Sequence, residues 1–145
     1  LQEKGQKTVL YDLARCDMAQ AVADAFCCSS LVLASITYNA DCYPCMKTFI
    51  NQIVEHNYQN RIVGFIENGS WAPMAAKVMQ KMLEGCKKLT FAENVVTVRS
   101  AVTKQAKPQI KEQMSALAAE LEKKKKAPKK HIGDAFILRL NTMQI

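Results

Sequence analysis

Two arrangements of residues in this sequence are spaced for chemistry. Cys42 and Cys45 flank Tyr43 and Pro44, a CxxC spacing at the expected start of a helix. A helix N-terminus favours a thiolate, so the pair is a candidate thiol–disulfide redox site. The second arrangement joins two loops. Thr37, Tyr38, Asn39 and Ala40 follow one apolar run, and Asn68, Gly69, Ser70 and Trp71 follow the next. Trp71 is the sole tryptophan and stands beside a polar, glycine-containing turn. A flat aromatic and backbone N–H groups at consecutive strand ends suit a planar ligand, because open α/β sheets bind ligands at that edge.

The elements that must hold these loops follow from the periodicity. Residues 7–13 mix β-branched and aromatic side chains and predict a strand. Asp17 is a candidate N-cap for a helix over 18–27, with Ala21, Val22, Ala25 and Phe26 inward. Residues 31–36 are almost continuously apolar, as in a strand buried on both faces. After the first loop, Met46, Phe49, Ile50 and Ile53 predict a helix over 44–56. Residues 61–66 make the next buried strand, which ends in the tryptophan loop. Pro73 suits a first helical position, and Met74, Val78, Met82 and Leu83 are the expected inner stripe of a helix stopped near Gly85. Methionines at that spacing read as core, not as a metal or cofactor box.

Residues 89–98 hold another strand, broken around Glu93 and Asn94, and a last helix spans 107–126. Pro108 opens that helix, and Ile110, Met114, Leu117 and Leu121 line it. Strands and helices alternating through short connections predict a doubly wound, three-layer α/β/α sandwich with a mainly parallel sheet.

The chain has 145 residues, 49% of them hydrophobic, which suits one globular domain with one core. No apolar run approaches the roughly 20 residues that span a bilayer, and the opening residues lack the apolar stretch of a signal peptide. A soluble cytoplasmic protein without a membrane partner is expected. The net charge of +7 invites a nucleic-acid reading, but Lys123 to Lys126, Lys129 and Lys130 account for most of it. That run has no aromatic residues for stacking, so it reads as a solvated helix end and linker, with no nucleic-acid partner. The six cysteines read as reduced thiols, because a chain this long and rich in core residues needs no disulfide framework. Zinc is not expected, since His56 and His131 lie at no ligand spacing from the CxxC.

Three functions compete for the loops. Against thiol–disulfide chemistry, a polar stretch separates Ile36 from Asp41, and no second segment has a proline opening a strand to face the pair. A flavin site is favoured. An isoalloxazine ring wants aromatic faces, which Trp71 and Tyr38 or Tyr43 could supply, and backbone groups at its edge. The third reading is a cofactor-free, degenerate domain or fragment that serves only as an interaction surface.

The pair Ser35-Ile36-Thr37-Tyr38-Asn39-Ala40 and Ile66-Glu67-Asn68-Gly69-Ser70-Trp71-Ala72-Pro73 resembles the flavodoxin-like domain of flavodiiron proteins, or A-type flavoproteins. Those proteins typically carry Ser-Pro-Thr-Tyr-Asn-Ala-Gly and Glu-Asn-Gly-Ser-Trp-Ala-Pro at these strand ends. The likeness extends to residues 9–13, 24–26 and 43–46, covering the chain well to about residue 105 and the following helix loosely. It implies a flavodoxin-like fold that binds FMN and passes electrons to a di-iron centre on a metallo-β-lactamase-like domain or subunit. There dioxygen is reduced to water, or nitric oxide to nitrous oxide. A rubredoxin-like protein or a flavin reductase would be the electron donor, and a homo-oligomer is compatible with the family.

By the same resemblance, Thr37, Tyr38, Asn39 and Ala40 line one side of the flavin and Asn68, Gly69, Ser70 and Trp71 the other. No residue takes a catalytic or metal-binding role. The chain is then an electron-transfer module of an oxidoreductase and not a complete enzyme.

Several positions depart from the family. Ile36 and Cys45 replace prolines, and Asp41 replaces a glycine. A carboxylate at Asp41 would lower the flavin potential by repelling the anionic reduced ring. In the family the first strand is central and leads to the loop that holds the FMN phosphate. Here residues 1–5 resemble only the end of the helix after that loop, so binding would be weakened. The expected division is a flavodoxin-like domain over 1–126, truncated at its N-terminus, and a basic linker and extension over 127–145.

Residues 135–140 read as a strand, followed by Asn141-Thr142-Met143, which is similar to the family's Asp-Thr-Met after its first strand. The tail either replaces the missing strand, as a circular permutation would, or is an unrelated extension. So short a match favours the extension. An empty slot would leave strand edges unpaired.

Overall fold

The alternation of apolar runs and helical stripes folds into a mostly parallel sheet. The structure is a computed structural model that describes residues 7–123 and 135–139. Its elements are β1 (Thr8–Asp12), α1 (Met18–Cys27), β2 (Ser30–Tyr38), β3 (Asp41–Cys42), α2 (Pro44–Glu55), β4 (Ile62–Asn68), α3 (Ala75–Leu83), β5 (Thr90–Phe91), β6 (Val96–Val98), α4 (Lys107–Lys123) and β7 (Ala135–Arg139). The strand order is β1-β7-β2-β4-β5, with β6 also on β4 and β3 on β2. All pairings are parallel except the β2–β3 hairpin. With β7 counted as the first strand, this is the 2-1-3-4-5 order of the flavodoxin-like α/β fold.

The expectation of an unrelated C-terminal extension is therefore overturned. β7 lies between β1 and β2, with Thr8 opposite Ala135 through Asp12 opposite Arg139 on one side. On its other side Leu31, Val32 and Leu33 oppose Phe136, Ile137 and Leu138. The physical reason is backbone satisfaction: two facing rows of N–H and C=O groups accept any strand-forming segment the chain can return. Asn141, Thr142 and Met143 lie outside the described residues, as do Leu1 to Gly5 and most of the lysine run.

The sheet divides the core in two. On one face Leu31, Leu33, Val63 and Phe65 meet α1, α2 and α3. The predicted stripe of α2 is fully buried: Met46, Phe49, Ile50 and Ile53. Asp17 caps α1 as expected, its carboxylate accepting from the Ala19 N–H at 2.9 Å. On the other face Val32, Ala34, Ile66, Val96 and Val98 meet Ile110, Leu117 and Leu121 of α4. Among the described residues α4 is the helix packed on this face, and Leu10 of β1 stays 51% exposed.

Two expected details change. α3 begins at Ala75, with Met74 rather than a residue before Pro73 at its N-cap. Its buried face is Ala75, Ala76, Met79 and Leu83, while Val78 and Met82 are only partly buried. The small side chains of Ala75 and Ala76 let the first turn lie close against the sheet and set that face. The expected break near Glu93 and Asn94 does occur, between β5 and β6. There both backbone N–H groups donate to the Glu120 carboxylate of α4, at 2.8 and 3.1 Å. Among the described residues no helix is long and apolar enough to cross a membrane.

The insertion of β7 gives a direct test. Ile137→Pro removes a ladder N–H inside the sheet and leaves a buried carbonyl unpaired, which should destabilise the chain by about 1–3 kcal/mol, measured by urea unfolding. An appended tail would leave the unfolding midpoint unchanged.

Candidate functional site

The carboxyl ends of β2 and β4 lie side by side, with Ser35 opposite Glu67 and Ile36 opposite Asn68. Chain connections run from β1 across to β6 and then return to β7, so the order reverses beside β2. Ligands bind outside the strand ends at such a switch point.

The first loop is a tight hairpin and not the open loop expected. Thr37 pairs with Cys42 and Tyr38 with Asp41, which leaves Asn39 and Ala40 as a two-residue turn. Their φ angles are 49° and 57°, the left-handed pair of a type I′ turn. Buried Ser35 fixes the base of the hairpin by accepting from the Tyr43 N–H at 3.1 Å. Tyr38 is 49% exposed and packs edge-on against Tyr43, with ring centroids 5.7 Å apart.

Asp41 does not stand alone. Its carboxylate accepts from Lys47 Nζ at 2.5 Å and from the Cys42 N–H at 2.8 Å. The Lys47 ammonium, and then the Cys42 N–H, hold its carboxyl below the usual range. The charge expected to repel a reduced flavin is thus largely offset within its own ion pair. A groove of about 460 Å³ lies along this pair and α2, lined by Asn39, Thr48 and Asn51 among others. Trp71 does not line it.

The second loop is tied down on three sides. The Gly69 N–H donates to Val98 O at 3.1 Å, and Asn68 Nδ2 donates to Ser100 O at 2.9 Å. Thr37 Oγ1 accepts from the N–H groups of Met74 (2.9 Å) and Ala75 (3.2 Å). Glu67 Oε2 accepts from the Ala76 N–H at 2.9 Å, and its Oε1 accepts from Thr97 Oγ1 at 3.1 Å. Gly69 is needed for room: a Cβ there would lie 2.9 Å from Pro73 Cα and 3.1 Å from Thr37 Oγ1.

Trp71 is held out at 98% exposure. The N–H groups of Ser70 and Trp71 take no hydrogen-bond partner among the described residues.

The sequence placed Thr37, Tyr38, Asn39, Ala40, Asn68, Gly69, Ser70 and Trp71 in two neighbouring loops, and the fold brings those loops together. Glu67, Thr97 and the turn at Ser100 were not foreseen. A single carboxylate closing the apolar run 62–66 was the one available signal, because such a group is buried only when its oxygens take donors.

The surroundings of the CxxC pair are the opposite of those that activate a thiol. Cys42 lies in β3 and is buried. Burial, with the Asp41 charge next, pushes its thiol up to about 11. Burial also raises the Cys45 thiol, despite its place in the first turn of α2. Reactive cysteines need the reverse, an exposed thiol with a lowered pKa. A raised pKa delays the thiolate to higher pH. Alkylation of Cys42 by iodoacetamide at pH 8 should therefore run more than about tenfold slower than for a free thiol, and that of Cys45 should be slowed as well. Peptide mapping would read this, and fast labelling of either residue would restore the redox reading.

Comparison with protein-family models and with curated proteins finds no match. Among solved structures, the chain is similar to rubredoxin oxygen:oxidoreductase from the anaerobe Desulfovibrio gigas, with a TM-score of 0.59 and 20% sequence identity. The alignment covers 87% of this chain but only 39% of that one. At such identity the likeness speaks for architecture alone, and it agrees with the strand order: this chain has a flavodoxin-like α/β fold.

Proposed function

We propose that this chain is an FMN-binding electron-transfer module, working with a di-iron oxygen- or nitric-oxide-reducing partner of the flavodiiron type. The observation that carries the reading is the exposed Trp71 with the free N–H groups of Ser70 and Trp71, set beside the Tyr38 hairpin on the adjacent strand. A tryptophan at 98% exposure has no role in the core. Its indole offers a face for stacking a flat ring.

The residues present fit the isoalloxazine end of the cofactor. Tyr38, Asn39 and Ala40 would hold one side and Asn68, Gly69, Ser70 and Trp71 the other. The two N–H groups would donate to the ring's polar edge, while Trp71 and Tyr38 exclude water from its faces. Bound there, FMN supplies transfer of one or two electrons. Rubredoxin belongs to the name of the similar solved protein, which supports a small redox protein as the electron donor here.

Titration with FMN tests the reading. Stacking should quench the fluorescence of Trp71, the only tryptophan, in a saturable way. Trp71→Ala should weaken binding about tenfold, followed by flavin fluorescence. Absence of saturable binding by the unaltered chain would leave a cofactor-free domain as the better account.

Charge at the hairpin provides a second test. Removing a carboxylate near the ring favours its anionic reduced form, and removing an ammonium disfavours it. Asp41→Gly should therefore raise the FMN midpoint potential and Lys47→Met should lower it, both read by spectroelectrochemistry. Equal potentials in the three proteins would mean that the ring does not sit near this ion pair.

A further inference from the structure

We infer that Thr37 and Glu67 are positioning residues: they clamp the start of α3 from two neighbouring strands and so hold the Trp71 loop against the Tyr38 hairpin. The inference rests on the FMN reading for its functional meaning, but the clamp itself is a property of the chain alone.

A helix start leaves its first N–H groups without partners inside the helix. Usually the N-cap side chain supplies an acceptor. Met74, at the N-cap of α3, has none to supply. The N–H groups of Met74, Ala75 and Ala76 are instead taken by Thr37 Oγ1, at 2.9 and 3.2 Å, and by Glu67 Oε2, at 2.9 Å. These acceptors stand at the ends of β2 and β4, far from α3 in sequence in the case of Thr37.

The consequence is mechanical. Residues 69–73 are stretched between two fixed points, the end of β4 and the first turn of α3. Fixing that turn leaves the loop little freedom. Gly69 adds a close fit, since a Cβ there would stand 3.1 Å from Thr37 Oγ1. Thr37 therefore belongs to the strand that carries the hairpin and caps the helix that follows the Trp71 loop.

A hydroxyl oxygen has two acceptor positions, and the two α3 N–H groups fill those of Thr37. Only its proton is left to donate toward a ligand. Glu67 extends the clamp sideways by accepting from Thr97 Oγ1 of β6 at 3.1 Å. Its carboxylate is buried, a placement tolerated only because both oxygens take donors.

An ordinary helix cap would add stability and nothing more, so the test separates the two. Thr37→Val keeps the shape and removes the acceptor, while Thr37→Ser keeps the acceptor. Three quantities are read for each: the urea midpoint, the fluorescence anisotropy of Trp71 without flavin, and the dissociation constant for FMN. Thr37→Val should lower the anisotropy in the folded chain and weaken FMN binding about tenfold, and Thr37→Ser should restore both.

A change in urea midpoint alone, with anisotropy and FMN affinity unchanged, would overturn the inference. Failure of the unaltered chain to bind FMN would instead sink the cofactor reading, while the anisotropy comparison would still decide the clamp. If Thr37→Val does not fold, Thr97→Val removes the sideways donor and serves in its place. It should give a smaller loss of affinity, about threefold. No loss of either affinity or anisotropy in that variant would count against the clamp.

Discussion

The parallel pairing of β7 with both β1 and β2 is the interaction on which the sheet depends. β1 meets the rest of the sheet only through β7 among the described residues. Remove that strand and two facing edges lose their partners at once, in the middle of the structure where water would have to replace them. Every unpaired backbone group there carries a desolvation cost comparable to a lost hydrogen bond. The switch point that defines the ligand edge also exists only because the chain returns to this slot. Architecture and site therefore share one cause.

A second constraint operates at the carboxyl edge. The loops after β2 and β4 are short, and each is held by groups from the other or from β6. Donors outnumber local acceptors at the start of α3, so Thr37 and Glu67 reach across to it. Gly69 answers a shortage of space, and Asn68 spends its amide on Ser100 O. The Trp71 indole stays out in solvent, and the N–H groups of Ser70 and Trp71 take no partner among the described residues. The proposed stacking of a planar ligand rests on that exposed indole.

The same packing removes chemistry that the residue spacing had suggested. The hairpin that presents Tyr38 and Asn39 carries Cys42 into the core, and burial raises its thiol. Asp41, which looked like a free negative charge near the ligand, is bound to Lys47 one turn into α2. Both corrections have a common origin. Local sequence shows which groups are near one another along the chain, while burial and ion pairing depend on what the fold sets against them.

Much of this protein was legible in its residues. Periodicity located each helix to within a few residues, and Asp17 declared the start of α1. The continuous apolar runs of β2 and β4 identified buried parallel strands, and the two loops stood out through Trp71 and the Asn68-Gly69 turn. These features are local, and local spacing determines them. The sequence left the place of the tail open between two alternatives, and it did not reveal the left-handed turn at Asn39 and Ala40, the buried face of α3, or the roles of Thr37 and Glu67. Each of these joins residues far apart along the chain. Strand partners and long-range caps are chosen by which unsatisfied groups meet in space, and only the tertiary structure brings them together.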